Sequence, residues 1–497
     1  MIGVCNLHFC IMYNLMASCV LLRSHEVILH SHTWKEMCIM EVAVNYEIQF
    51  DELQMKAIDM ASDIKRRLVS VSGPAGAGKT IIIRKIHEHF VSLGIPVALA
   101  APTGKAARRI KEATGIDAVT IHKLLEYNRP GERDEETGKA LDTTKPKRDR
   151  VNPLFEKVII VDEYAMVNHE LHNNLLAALP SGGCLRAFGD ISQLPPIEEY
   201  SVKQNNGQPE QTPFQKLVAR PDSVVLEKVY RQGEGSAILA AANKVRKGHQ
   251  PPIGDGEEFF LKLTDRPLDI LKLHVQKSLE NGVNYRDIHN QIITPQKNSW
   301  TGTQKLNQML KTILNPKPEQ SIELKRNSWD KDTCIVGIGD KIVCTSNTYD
   351  LRPYFERFEE WTEDQVPIMS SWIPCPVTKQ MLNGETGIVT HIYPDGGLDI
   401  DFGDRIVELP YVYQEYWSQR DTVIDVYPSK NIDLAYALTT HKCQGSEFEQ
   451  VCYVLNKSMS FIQSRQNFYT AITRARKRVM VICDQQSLRV SVFKVAR

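Results

Sequence analysis

An α/β fold with parallel sheets buried on both faces is predicted by three features of the sequence. Short apolar runs at residues 68–72, 97–101, 158–161, 185–188 and 224–226 alternate with helical stretches. Near-continuous apolar strands between helices mark a sheet covered on both sides, because each crossover lays a helix against it. Each run ends in polar or small residues, at the edge where open α/β sheets bind ligands. The composition, 42% hydrophobic and 24% charged over 497 residues, is that of an ordinary globular chain with room for about three domains of ~150 residues.

The first run leads into Gly73-Pro74-Ala75-Gly76-Ala77-Gly78-Lys79-Thr80, and the following Ile-Ile-Ile-Arg-Lys-Ile can continue as a helix. Strand, glycine-rich turn and helix form the setting of a phosphate-binding P-loop. The glycines let backbone N–H groups curl around a polyphosphate, and the helix N-terminus adds its positive dipole end. Lys79 would reach the terminal phosphates and the Thr80 hydroxyl would bind Mg²⁺. The third run delivers Asp162 and Glu163 to its C-terminal edge. Asp162 would hold Mg²⁺ through the water shell of the metal, and Glu163 would activate an attacking water. After the fourth run, Gly189-Asp190-Ile191-Ser192-Gln193-Leu194-Pro195-Pro196 places Gln193 where it could bond both a γ-phosphate and that water.

Other features bound the reading. Sixty basic residues cancel sixty acidic ones, so any nucleic-acid path must be a local groove rather than a global field. Eleven cysteines without a C-x-x-C pair argue against zinc or iron–sulfur sites and read as reduced thiols. Residues 1–22 carry no charged side chain, yet lack the basic start of a secretory signal and the continuity of a spanning helix. They read as a poorly ordered extension, or as the product of a start assigned upstream of Met40. The interval 128–152 is rich in charge, Gly and Pro, and reads as an exposed hairpin or loop. From 339 to 427 the chain turns β-like, with Gly384-Glu385-Thr386-Gly387 and Asp395-Gly396-Gly397 as turn signals. Residues 432–484 return to α/β character.

The order and wording of these motifs resemble superfamily 1B helicases, and specifically the RecD/Dda-like branch. Phe50-Asp51-Glu52-Leu53-Gln54 resembles the adenine-reading Q motif, with Gln54 the reader. Ala101-Pro102-Thr103-Gly104-Lys105-Ala106-Ala107 resembles motif Ia, and Thr120-Ile121-His122 the segment after it. Val229-Tyr230-Arg231-Gln232 resembles motif IV, Ala437-Leu438-Thr439-Thr440-His441-Lys442-Cys443-Gln444-Gly445-Ser446-Glu447-Phe448 motif V, and Tyr469-Thr470-Ala471-Ile472-Thr473-Arg474-Ala475-Arg476 motif VI. Ile293-Thr294-Pro295, Leu306-Asn307 and Asn315-Pro316 also match the second-domain pattern of the branch. The likeness runs from about residue 47 to residue 483.

The resemblance implies two RecA-like P-loop NTPase domains, at 46–118 with 156–221 and at 222–346 with 431–497. A wedge hairpin would be inserted at 119–155 and a small β-barrel with an aromatic insert at 347–430, behind an N-terminal extension at 1–45. It further implies an ATP- and Mg²⁺-dependent DNA helicase moving 5′ to 3′. Arg231 and Arg474 would neutralise charge on the transferred phosphoryl group. Tyr230 would stack on adenine and Glu447 bond the ribose. Pro102, Thr103, Lys105, His122, Thr440 and His441 would line the strand groove. The implied partners are single-stranded and forked duplex DNA, with replication or recombination proteins beyond them, no membrane, a monomeric unit and a cytoplasmic setting. A translocase that strips proteins from DNA, a motor subunit of a recombination complex, and a non-motor nucleotide-binding protein remain open alternatives.

Overall fold

A computed structural model describes residues 49–128, 142–196, 211–230, 236–254, 256–324, 334–348, 381–410, 413–417, 422–426 and 428–495. Arg231, most of the charged insert, the aromatic segment 351–380 and the N-terminal extension lie outside the described residues.

The first sheet is built from β1 (Leu68–Ser72), β2 (Val97–Ala101), β3 (Ala118–Thr120), β4 (Val158–Val161), β5 (Cys184–Gly189) and β6 (Ser223–Val225), in the order β3-β2-β4-β5-β1-β6. Every pairing is parallel. The burial follows the sequence: all four residues of β4 and all six of β5 are buried. Helices α1 (Glu52–Ser62), α2 (Lys79–Ser92) and α3 (Gly104–Thr114) each bury one stripe, as in α2 with Ile82, Ile83, Ile86 and Phe90. Arg186, fully buried within β5, donates to the carbonyls of Ala61 (2.5 Å), Asp63 (2.8 Å) and Arg66 (2.8 Å). A guanidinium at the carbonyl end of α1 satisfies groups the helix cannot, and ties the helix carrying Gln54 to the sheet.

Both edges of this sheet reach past the expected limits. β3 pairs with β2 inside the span assigned to the hairpin. β6 pairs with β1, Ser70 opposite Ser223, inside the span assigned to the second domain. The physical reason is that β1 would otherwise leave an unpaired edge beside the P-loop.

The second parallel sheet comprises β7 (Phe259–Leu263), β8 (Asn290–Thr294), β18 (Ala437–Thr439), β19 (Phe448–Val454) and β20 (Ala475–Cys483), ordered β18-β8-β19-β20-β7. Between β8 and β18 the chain makes an antiparallel hairpin of β9 (Ser321–Leu324) and β10 (Cys334–Gly337). It then forms a five-stranded antiparallel sheet in the order β14-β13-β12-β11-β17. Its strands are β11 (Lys341–Cys344), β12 (Thr386–Ile392), β13 (Leu398–Asp401), β14 (Ile406–Leu409) and β17 (Ile432–Leu434), and β15 (Tyr413–Trp417) pairs with β16 (Thr422–Val426) separately. This sheet starts and ends outside the expected 347–430 because β11 and β17 pair with each other.

The parallel and antiparallel layers share one core, in which Ile292, Cys452 and Ile482 meet Ile342, Val389 and Ile400. At the seam, buried Asp340 accepts hydrogen bonds from Lys311 (2.5 Å), Asn315 (2.6 Å), the Tyr436 hydroxyl (2.6 Å) and the Gly337 amide (2.8 Å). Four donors let a carboxylate sit where solvent does not reach.

Candidate nucleotide cleft and strand groove

The P-loop takes the shape its glycines permit. Gly76 and Gly78 have φ of 82° and 86°, in the left-handed region that glycine enters without steric cost. At Gly78 a Cβ would lie 2.5 Å from Gln54 Nε2. The Gln54 amide donates to the Ala77 carbonyl at 3.0 Å, so α1 braces the loop from behind. The Lys79 ammonium donates to the carbonyls of Gly73 (2.7 Å) and Pro74 (3.0 Å). It thus lies across the loop, where a polyphosphate would compete for its protons. Thr80 follows in the first turn of α2.

The strand-end carboxylates sit opposite. Burial, and the neighbouring Glu163 carboxylate, push Asp162 up to about 6, with Lys79 pulling the other way. Glu163 has φ 52°, a conformation that costs a non-glycine residue about 1–3 kcal/mol. Its amide donates to Asp162 Oδ1 at 2.8 Å, which helps to hold the turn. Buried Gln193 has its Oε1 without a hydrogen-bond partner among the described residues.

The far wall comes from the second sheet. Arg474, 2% exposed, donates to Thr470 O (3.1 Å), Ser446 O (3.2 Å) and Thr473 Oγ1 (3.5 Å). All three are neutral oxygens, so the guanidinium keeps its charge unneutralised by them. Glu447 is clamped by Arg109 from α3 and by Arg476, whose Nη2 and Nε lie 2.7 and 2.8 Å from Oε2. The Tyr230 amide donates to Gly76 O at 2.9 Å, and its half-exposed ring lies under the Lys228 ammonium. Lys79, Thr80, Asp162, Glu163, Gln193, Tyr230, Glu447 and Arg474 line one cleft of about 370 Å³.

The fit to a nucleotide and divalent cation rests on this wall: a glycine cradle, an ammonium, a half-buried carboxylate beside Thr80, and an unsatisfied amide oxygen. Thr80 and Asp162 are the residues that would hold Mg²⁺, which would supply charge neutralisation at the phosphates.

The seam beside the cleft is hydrogen-bonded. The Tyr469 hydroxyl donates to Asp190 Oδ2 (2.8 Å), the Leu194 amide to Thr470 Oγ1 (2.9 Å), and the Gln444 amide to Leu194 O (3.1 Å). Gln193 therefore sits on a segment held from both sides. Sequence reasoning missed Arg109 and Arg108, the latter donating to Glu385 at 2.9 Å. Lys105, Arg108 and Arg109 recur at i, i+3 and i+4, which puts them on one helix face; that spacing was the available signal.

The expected strand residues divide. Pro102 and Thr103 lie at the C-terminal edge of β2, and the Thr103 hydroxyl accepts from the Ala106 amide at 3.2 Å, capping α3. His122 is exposed, with its ring 5.0 Å from Tyr127. His441 is half-buried, and burial lowers its pKa. Lys105 does not point to open solvent. It reaches toward Gly384 O (3.5 Å) and the Phe448 ring (6.0 Å) at the seam, and burial lowers its pKa. Thr440 is turned inward: it is 0% exposed and its hydroxyl donates to Asn467 Oδ1 at 2.7 Å. In this conformation it offers a strand no surface, because the chain after β18 is pinned between β8 and the helix at Arg465–Ile472.

The chain is similar to known proteins over most of its length. The AAA domain family profile matches residues 54–199 and the UvrD-like helicase C-terminal domain profile residues 434–482. The chain is 30% identical over 413 residues to the ATP-dependent RecD2 DNA helicase of Deinococcus radiodurans, covering 83% of this chain and 46% of that protein. It is 25% identical to the RecBCD enzyme subunit RecD of Mycobacterium tuberculosis, covering 90% of this chain and 71% of that protein. The chain spans about half the length of the Deinococcus protein and 38% of an uncharacterised Methanocaldococcus jannaschii relative. Among solved structures, it shares its fold with the Bacteroides Pif1 helicase in complex with ADP-AlF3 and ssDNA (17% identity, TM-score 0.52, covering 88% of this chain and 92% of that one). The Candida albicans Pif1 helicase is similar at 18% identity and TM-score 0.51, with 90% and 97% covered.

Proposed function

We propose that this chain, a member of the superfamily 1B helicases of the RecD/Pif1-like kind, is an ATP-driven motor that moves 5′ to 3′ along single-stranded DNA and separates duplex ahead of it. The observation that carries the reading is the shared cleft. Groups suited to bind phosphate and activate water stand on one sheet, and an arginine bonded to neutral oxygens stands on the other. In a cleft so divided, closing on a nucleotide brings Arg474 toward the transferred phosphoryl group. Lys79 and the P-loop amides bind the phosphates, Gln193 and Glu163 orient and deprotonate the attacking water, and Asp162 with Thr80 would hold Mg²⁺. Glu447 and Tyr230 flank the nucleoside end. The hydrogen bonds from the Tyr469 hydroxyl to Asp190 and from the Leu194 amide to Thr470 carry the state of the phosphate to the second half, whose displacement is the step.

Two further assignments belong to this proposal. The β3-to-β4 insert is the wedge, and Pro102, Thr103, His122 and His441 touch the strand backbone, a contact without sequence preference. Unwinding of duplexes bearing only a 5′ or only a 3′ single-stranded tail tests the proposal. Unwinding is expected on the 5′-tailed duplex. Preference for the 3′ tail would reverse the assigned polarity, and DNA-stimulated hydrolysis without unwinding on either would make the chain a translocase.

A further inference from the structure

We propose that Trp300 and Phe461 form a stacking platform for unpaired nucleobases on the C-terminal edge of the second parallel sheet. Trp300 is 46% exposed and Phe461 84%. Singly exposed aromatic side chains are ordinary, but these two stand on neighbouring loops that are rigidly built and tied together.

The loop after β8 closes on itself. The Gly302 amide donates to Ser299 O (3.0 Å) and the Thr303 amide to Gln296 O (3.2 Å). A Cβ at Gly302 would lie 2.2 Å from Lys297 O, so the backbone there is folded too tightly for any other residue. Trp300 Nε1 donates to Asn456 Oδ1 at 3.1 Å on the loop after β19. Asn456 also accepts from the Ser458 amide (2.9 Å) and, through its carbonyl, from Gln463 (2.7 Å). Met459 Sδ accepts from Thr294 (3.6 Å) and Thr301 (3.7 Å), joining the two loops.

Phe461 is held by a cation. The Lys494 ammonium donates to Ser460 O (2.9 Å) and Phe461 O (2.6 Å) and lies 5.7 Å from the ring centroid. Lys457 and Lys297 are exposed on the same two loops. Of the carboxylates nearby, Asp433 faces Lys297 at 4.0 Å, and buried Asp484 is occupied by the Ser487 hydroxyl (2.7 Å) and the Lys457 amide (2.8 Å). Rigid aromatic faces with ammonium groups beside them fit bases linked by phosphates, since stacking tolerates every base and the lysines neutralise the backbone. The Thr440 amide donates to Thr294 O at 3.1 Å, so this edge adjoins the segment carrying His441. The inference rests on the strand-motor reading and adds base contacts to backbone ones.

The test measures full-chain binding to labelled oligo(dT) and to an abasic strand of equal length, over a range of salt. Phe461→Ala and Trp300→Ala are each expected to weaken oligo(dT) binding on the order of tenfold. Binding to the abasic strand and the slope of log affinity against log salt should stay unchanged. Trp300→Phe, which keeps a stacking face without the Asn456 hydrogen bond, should restore most of the loss. Equal losses on both strands, or unchanged oligo(dT) affinity in both alanine variants, would overturn the platform while leaving the motor reading intact. Failure of the unaltered chain to bind either strand would overturn both.

Discussion

The two parallel sheets turn opposite edges to the nucleotide cleft. In the first, the P-loop, Asp162, Glu163 and Gln193 all follow the C-terminal ends of β1, β4 and β5, as open α/β sheets require. In the second, Glu447 immediately precedes β19 and Arg474 immediately precedes β20, so the N-terminal edge faces the nucleotide. The C-terminal edge of that sheet carries His441 and the two exposed aromatics, the edge proposed above to take the strand. On the proposed reading, one fold used twice would serve two chemistries, because one copy presents its other edge to the shared cleft.

Substitutions at the two edges test that division, beginning with the most damaging. Lys79→Ala should abolish measurable ATP hydrolysis while leaving strand binding largely intact; retained turnover would count against the whole cleft. Arg474→Ala should lower kcat by about 10³-fold or more, as loss of an arginine finger does, with a much smaller change in KM. If turnover survives, the second edge is not part of the catalytic cleft. Tyr469→Phe removes the donor to buried Asp190 across the seam, an interaction of about 1.5–3 kcal/mol for a charged acceptor. A lowered midpoint in denaturant unfolding would register it, and an unchanged midpoint would remove that bond from the account.

The smallest effect concerns the seam behind the second sheet. Lys341 is fully buried, donates to Asp287 O (3.0 Å) and Asn290 O (2.8 Å), and burial lowers it to about 7. Between that value and its ordinary 10.5, the unfolded chain binds a proton that the folded chain does not. This contribution to stability therefore rises with pH through the window and is flat below it, with a slope of at most about 1.4 kcal/mol per pH unit. Comparing unfolding midpoints at pH 7.5 and 9, Lys341→Met should lose this share of the rise; an identical rise in both proteins would refute the assignment.

Much of the first half was legible in the sequence because its chemistry is contiguous. A strand, three P-loop glycines and Lys79-Thr80 occupy one stretch, and Asp162-Glu163 directly follows β4, so local spacing suffices to place them. Glu447 and Arg474 could be assigned only by motif resemblance, since no local pattern says that a strand will offer its beginning rather than its end. Lys105 and Thr440 show the limit of motif reading. Both lie in segments resembling strand-contact motifs, yet one is drawn to the Phe448 and Gly384 seam and the other is buried against Asn467. Arg109, absent from the sequence reading, pairs with Glu447 because α3 packs closely enough for the Ala106 Cβ to lie 3.6 Å from a Cβ at Gly445.

The sequence by itself determined the α/β class, the glycine-rich turn after β1 and the pair of carboxylates at the end of β4. Those depend on hydrophobic periodicity and on short-range backbone geometry, which neighbouring residues control. Tertiary structure alone decided that the second sheet meets the cleft with its N-terminal edge, and that α3 spends its basic face on the seam. It also decided that Trp300 and Phe461, 161 residues apart in number, stand on loops tied to one another. Such juxtapositions follow from how two sheets pack around a common core, and no local stretch of sequence contains them.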